Sequence, residues 1–253
     1  YLNCDVKILF NFLLLIYTNH WEANNASLFL YNLYNLNLGI FLMKKYILFD
    51  NDGVLVHTEP LYFKANIKAL KEYFDVELEF EEYMKIMSEG TTVWQKALNK
   101  GFSQKEIEIA RNKRNEYYQE FLKTENILIK GVKEVLKELS KDYKMGIVTT
   151  SRRVDFEIIH KDLGIVDFMD FVLCEEDYEF AKPHPQPYLK GLEIFGANKD
   201  EAIVIEDSTR GLTAAYKAGI ECVIVKNEFT ITQDFSKASY FIDNLNELKT
   251  ILD

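Results

Sequence analysis

Residues 46–53, YILFDNDG, constrain the fold more than any other stretch. Tyr46 to Phe49 are apolar or aromatic without polar alternation, the pattern of a strand covered on both faces in a parallel-type sheet. The run stops at Asp50 and Asp52, followed at once by Gly53. Residues two apart on an extended chain point to the same side, so the two carboxylates lie close together where the strand ends. Gly53 lets the backbone leave in a conformation that a side chain would resist. Two acids at the carboxyl end of a buried strand make a poor core. They make a good site, because open α/β sheets bind ligands at that edge.

The rest of the chain supplies the sheet. Glu59 to Tyr73 reads as a helix with Pro60 in its first turn. Residues 74–125 carry helical patterning and no convincing strand. They hold short helices over 80–87 and 92–99 and a longer one over 103–124, opened by a Ser103/Glu106 capping box. Strands and helices then alternate. Strands are expected at 144–149, 171–174, 202–205, 221–225 and 239–242. Helices are expected near 132–139 and at 154–163, 187–195, 209–218 and 244–251. That order implies a doubly wound, Rossmann-like parallel sheet with helices on both faces and an inserted helical domain. The expected division is a core of 43–57 with 127–253, and a helical cap of 58–126.

Unusual chemistry recurs at the strand ends: Asp50 with Asp52, Thr149 with Thr150, Lys182 in the loop after the third strand, and Glu206 with Asp207. All converge on one edge of such a sheet. Carboxylates gathered this closely repel one another unless a cation sits among them. Oxygen donors with room for water and phosphate oxygens suit Mg²⁺. A hydroxyl, backbone N–H groups and an ammonium are natural phosphate partners. The set reads as a Mg²⁺-assisted phosphoryl-transfer site. Net charge is −10, which argues against a general nucleic-acid binder.

These motifs resemble those of the haloacid dehalogenase superfamily, in the branch of β-phosphoglucomutase-like phosphatases. The resemblance runs from about residue 45 to the C-terminus, through DNDGVL at 50–55, Thr149, Lys182-Pro183 and Glu206-Asp207-Ser208, with a helical cap after the first motif. It implies a phosphomonoester hydrolase of small phosphorylated metabolites such as a sugar phosphate. Asp50 would be the nucleophile and Asp52 the general acid and base. Mg²⁺ would be held by Asp50, the Asp52 carbonyl and Asp207, with Glu206 near or in its shell. Thr149, the Thr150 N–H and Lys182 would hold the phosphoryl group. Glu59 is expected to face the cleft. The cap loop 89–94 is expected to touch the leaving group, with Trp94 either a substrate platform or core.

The mutase relatives carry a histidine shortly after the first motif and an arginine in the cap loop. The matching stretches here, 61–63 and 90–93, hold neither. That favours a phosphatase over a phosphomutase, which stays as the alternative. A non-enzymatic phospho-acceptor domain is the third reading. His57, at the hinge, reads as a surface residue or a tuner of cap closure, and His160 and His184 as ordinary. Cys4, Cys174 and Cys222 form no close pair, as suits a reducing, cytoplasmic setting. Residues 1–42 hold three charged residues (Asp5, Lys7, Glu22) and eight asparagines. They read as a non-structural or spurious extension before Met43, with a membrane anchor the alternative. No membrane partner is expected.

Overall fold

A computed structural model describes residues 44–252; the extension expected over 1–42 lies outside the described residues. Strand β1 (Tyr46–Phe49) is followed by four helices with no intervening strand: α1 (Glu59–Phe74), α2 (Phe80–Ser88), α3 (Gln95–Asn99) and α4 (Gln104–Thr124). Then come α5 (Val132–Leu139), β2 (Lys144–Val148), α6 (Arg153–His160), β3 (Phe171–Leu173), α7 (Gln186–Phe195), β4 (Ala202–Glu206), α8 (Thr209–Ala218), β5 (Glu221–Val225), β6 (Tyr240–Ile242) and α9 (Lys249–Leu252). The six strands make one sheet in the order β3-β2-β1-β4-β5-β6. Every pairing is parallel. The chain is therefore an α/β protein of the Rossmann-like kind.

β1 is central because it is apolar on both faces. Ile47 and Phe49 enter one hydrophobic cluster and Leu48 the other. Each such burial is worth about 1.5–3 kcal/mol. Tyr46 pairs with Lys144 on β2 and with Ala202 on β4, so the carboxyl ends of these strands come level. The Asp50 N–H carries the ladder one step further, donating to the Ile205 carbonyl at 2.8 Å.

α4 begins as its sequence requires: Ser103 accepts from the Glu106 N–H, and the Glu106 carboxylate accepts from the Ser103 N–H, a cap worth about 1 kcal/mol. The chain leaves β1 and returns to α5 through adjacent segments. The His57 N–H donates to the Ile127 carbonyl at 2.7 Å, and Val56 bridges Leu128 antiparallel. Element ends differ modestly from expectation. The helix expected over 154–163 stops at His160, and the one over 244–251 is a 3₁₀ turn, Leu245–Leu248, before α9. The Asn244 side chain accepts from the Asn246 N–H, a local bond that competes with the helical ladder. Among the described residues no helix is long and apolar enough to cross a membrane.

Candidate active site

Lys182 sits 4 % exposed at the sheet edge. Its ammonium donates to Asp50 Oδ1 at 2.7 Å, to Glu206 Oε1 at 2.7 Å and to the Val148 carbonyl at 2.8 Å. Its three N–H donors are thereby used, and the ends of β1, β2 and β4 are tied through one nitrogen. Arg210, in the first turn of α8, donates to the Lys182 carbonyl at 2.7 Å and holds that loop down.

Glu206 is the most completely satisfied acid of the set. Oε1 takes Lys182 and the Tyr188 hydroxyl (2.6 Å), while Oε2 takes the N–H groups of Asp207 and Ser208 and the Ser208 hydroxyl. It lies against the start of α8, where the helix dipole favours a negative charge. A Cβ on Gly211 would fall 1.6 Å from Glu206 Oε1, so this approach needs glycine. Asp207 is buried, with Oδ2 accepting from Asn227 at 2.8 Å. Gly53 turns the chain at φ +79°, and a Cβ there would fall 2.2 Å from Asp207 Oδ2 and 2.8 Å from Glu59 Oε1. The glycine of the first motif is required both by its backbone and by the two acids pressed against it.

Asp52 is held separately. Oδ1 accepts from Thr58 at 2.5 Å, and Oδ2 from Ser151 at 2.6 Å and Thr149 at 3.3 Å. Asn51, between the two aspartates, is fully buried. It donates to Asp52 at 3.3 Å and meets His160 Nε2 at 2.7 Å.

The electrostatics follow from crowding. Burial first, then the Glu206 charge, pushes the Asp50 carboxyl up to about 7 against the pull of Lys182. Burial and the neighbouring Asp52 push Glu59 up to about 8, and burial with Glu59 and Glu206 pushes Asp207 well up. Burial opposes the charge on Glu206 too, but Lys182 and Tyr188 outweigh it and hold that carboxyl below its usual range. Burial opposes the Lys182 charge as well, and Asp50 with Glu206 overrides it, raising the ammonium.

Asp50, Glu206 and Asp207 each bring an oxygen within 4.8 Å of the others. Proximity alone would make all three ligands, but the oxygens of Glu206 are already occupied by hydrogen-bond donors. Asp50 Oδ2 and Asp207 Oδ1 have no hydrogen-bond partner among the described residues. Glu59 Oε2 is buried and unpartnered. Repelling carboxylates with free oxygens fit a hard divalent cation.

Two joined cavities open over this edge. One, of about 180 Å³, is bordered by Asp50, Asp52, Glu59, Thr150, Lys182 and Asp207. The other, about 680 Å³, runs from Asp52, Thr150 and Ser151 to Arg111 and Arg114 on α4. Thr150 and Glu59 border both. Thr149 borders neither: it is buried, and its hydroxyl is turned to Asp52 and the Ser151 N–H. Trp94 corrects the substrate-platform expectation. It is 5 % exposed, packed edge-on to Phe74, and borders neither cavity. Nor does any residue of the loop 89–94; Glu59, Tyr62, Tyr83 and Met87 of α1 and α2 face the cleft instead. His57 is exposed, edge-on to Phe229. His184 packs on Phe180, away from both cavities. Thr58, Ser151, Tyr188 and Asn227 escaped sequence reading, since single hydroxyls and amides carry no spacing signal.

A family model described as haloacid dehalogenase-like hydrolase matches residues 47–225. The chain is 26 % identical over 210 residues to the pyrophosphatase PpaX of Bacillus mycoides (strain KBAB4), covering 81 % of this chain and 95 % of that one. Among solved structures it is similar to CbbY of Rhodobacter sphaeroides in complex with phosphate (TM-score 0.69, 23 % identity, 81 % and 96 % coverage). It is also similar to a protein of Haemophilus somnus 129PT described as a predicted phosphoglycolate phosphatase (TM-score 0.74, 23 %, 83 % and 99 %). A third neighbour is the β-phosphoglucomutase of Clostridium difficile (TM-score 0.67, 24 %, 83 % and 96 %).

Proposed function

We propose, from the premise that this chain belongs to the haloacid dehalogenase-like hydrolase family and is a phosphatase of it, that it is a Mg²⁺-dependent phosphomonoesterase. It cleaves a small phosphorylated metabolite such as a sugar phosphate. Residues 43–57 and 127–253 form its core and 58–126 its cap. The observation that carries the reading is the Lys182 ammonium shared between Asp50 and Glu206 beside an unsatisfied Asp50 oxygen.

One oxygen of the Asp50 carboxylate attacks phosphorus, forming the aspartyl-phosphate as the ester P–O bond breaks, and the other is left for the metal. Asp52, steadied by Thr58 and Ser151, gives its proton to the leaving oxygen. It then takes a proton from water, whose oxygen attacks phosphorus and frees Asp50 and phosphate. Lys182, anchored on Glu206, neutralises charge on the phosphoryl group, and the Thr150 N–H donates to the same group. Asp50 and Asp207, with the Asp52 carbonyl, would hold Mg²⁺. The ion supplies charge neutralisation for a carboxylate approaching a phosphate. Glu206 acts beneath them as the anchor of Lys182.

The test is phosphate release from a panel of phosphorylated metabolites with Mg²⁺ and after chelation. Activity that vanishes on chelation, returns with Mg²⁺ and is lost in Asp50→Asn supports the reading; full activity in that variant contradicts it. Cationic Arg111 and Arg114 on the cleft speak for the mutase alternative, which would release an isomer of the substrate instead of free phosphate. Buried, unpaired Cys174 and Cys222 support a cytoplasmic setting.

A further inference from the structure

Resting on the phosphatase reading, we propose that Asn51 and His160 are positioning residues for the general acid. The His160 imidazole fixes the Asn51 amide, and the amide fixes how the Asp52 carboxyl is turned. Asn51 is fully buried and His160 is 9 % exposed. The position between the two acids could hold an apolar residue with no polar group to satisfy. A buried amide there must find partners for both of its ends. Nδ2 donates to Asp52 Oδ2 at 3.3 Å, and Oδ1 lies 2.7 Å from His160 Nε2 at the end of α6. Phe156, one turn back on α6, lies against the imidazole with ring centres 4.2 Å apart and steadies its plane.

The partners leave one arrangement. A carboxylate oxygen accepts, so the amide turns its NH2 group to Asp52 and its oxygen to the ring. That oxygen also only accepts, so Nε2 carries the imidazole proton and Nδ1 carries none. Nδ1 is buried without a partner, which a bare nitrogen tolerates better than a stranded N–H. Asp52 then meets three hydroxyls and one N–H: Thr58 at Oδ1, and Ser151, Thr149 and Asn51 at Oδ2. A hydroxyl turns and accepts as readily as it donates; an NH2 group held from behind only donates. Asn51 therefore keeps Oδ2 as an accepting oxygen, and the proton of the acid sits on Oδ1 against Thr58. It passes from Oδ1 to the departing ester oxygen and leaves the carboxylate behind. A proton kept on one oxygen is presented the same way at every turnover.

The test is the ratio of kcat/KM for 4-nitrophenyl phosphate to that for ethyl phosphate, in the wild type, His160→Leu, His160→Gln and Asp52→Asn. This constant covers the steps through formation of the aspartyl-phosphate. In them nitrophenolate leaves without a proton, whereas the ethyl alcohol needs one. The ratio should rise about tenfold in His160→Leu, which frees the amide. It should stay within about twofold of wild type in His160→Gln, whose own N–H replaces Nε2. Loosened structure or weakened metal binding slows both esters together and does not move the ratio. Should His160→Leu not fold, nitrogen NMR of the wild-type imidazole decides: a proton on Nε2 is expected, and one on Nδ1 overturns the inference. A ratio unchanged in His160→Leu, or raised equally in His160→Gln, while Asp52→Asn raises it at least about a hundredfold, overturns the inference and leaves the phosphatase reading standing. A ratio unmoved in Asp52→Asn removes the general acid and the inference with it. No hydrolysis of either ester overturns both readings.

Discussion

The sheet edge and the helical roof face each other across one cleft, and they are built on opposite rules. At the edge the polar atoms left unengaged are oxygens of Asp50, Asp207 and Glu59, while Lys182 spends all its donors, Glu206 both oxygens, and Asp52 is held from three sides. In the roof the contacts are aromatic and loose in polarity, with Phe63, Phe74, Phe80, Tyr83 and Trp94 packed ring on ring and one guanidinium left over. A surface that fixes its charges by hydrogen bonds suits bond making. A surface that fixes shape and leaves a donor unpaired suits choosing among substrates. On the proposed function, chemistry and selection are separated in space, and each can be broken alone.

Lys182→Met breaks the edge hardest. It strands Asp50 and Glu206 without their cation, so stability should fall by about 3–5 kcal/mol in denaturant titration and turnover by at least about a thousandfold. A variant with native stability would show that the ammonium does not hold the edge together. The next effect comes from beneath the edge. Burial pulls the His160 imidazole down to about 4, below its ordinary value near 6.5. The folded state therefore resists a proton that the unfolded chain accepts. Stability from this group is complete above pH 6.5 and is lost as pH falls toward 4, by up to about 3 kcal/mol. Unfolding of wild type and His160→Gln across that window should diverge; parallel curves would remove His160 from the acid response.

Gly211→Ala sharpens the comparison at a smaller scale. Its methyl group would collide with the Glu206 carboxylate and should cost about 1–3 kcal/mol, with activity falling as Lys182 shifts. Trp94→Phe, in the roof, is the mildest. Stability should drop by about 1 kcal/mol while kcat/KM stays within about twofold of wild type. A large rise in KM would return Trp94 to the substrate pocket.

What could be read from the sequence divides along the same line. The edge is legible because its acids and its lysine stand at the ends of apolar strands, and strand ends in a parallel sheet share one side. Asp50 and Asp207 follow β1 and β4 directly, and Lys182 comes to them from the loop after β3. Glu206 was not fully placed, because the same position serves a metal or an ammonium equally well until Tyr188 and Ser208 are seen to fill its oxygens. The resemblance gives Thr149 to phosphate, and a hydroxyl rotates freely; here it donates to Asp52. The roof is illegible for a deeper reason. Trp94 caps the start of α3 and Arg114 lies on α4, both in stretches of mixed patterning, and only packing decides that the ring turns inward and the guanidinium faces the cleft.

The most direct test of the central claim, that Asp50 is the nucleophile that takes up the phosphoryl group, is an acid-quenched turnover with phosphate-labelled substrate on Asp52→Asn. With labelled 4-nitrophenyl phosphate, whose leaving group departs without a proton, that variant forms the intermediate and, lacking the base for water, clears it slowly. Label recovered on the peptide carrying Asp50, and on no other, is the expected result. Turnover without any labelled protein, or label on another residue, would contradict the account.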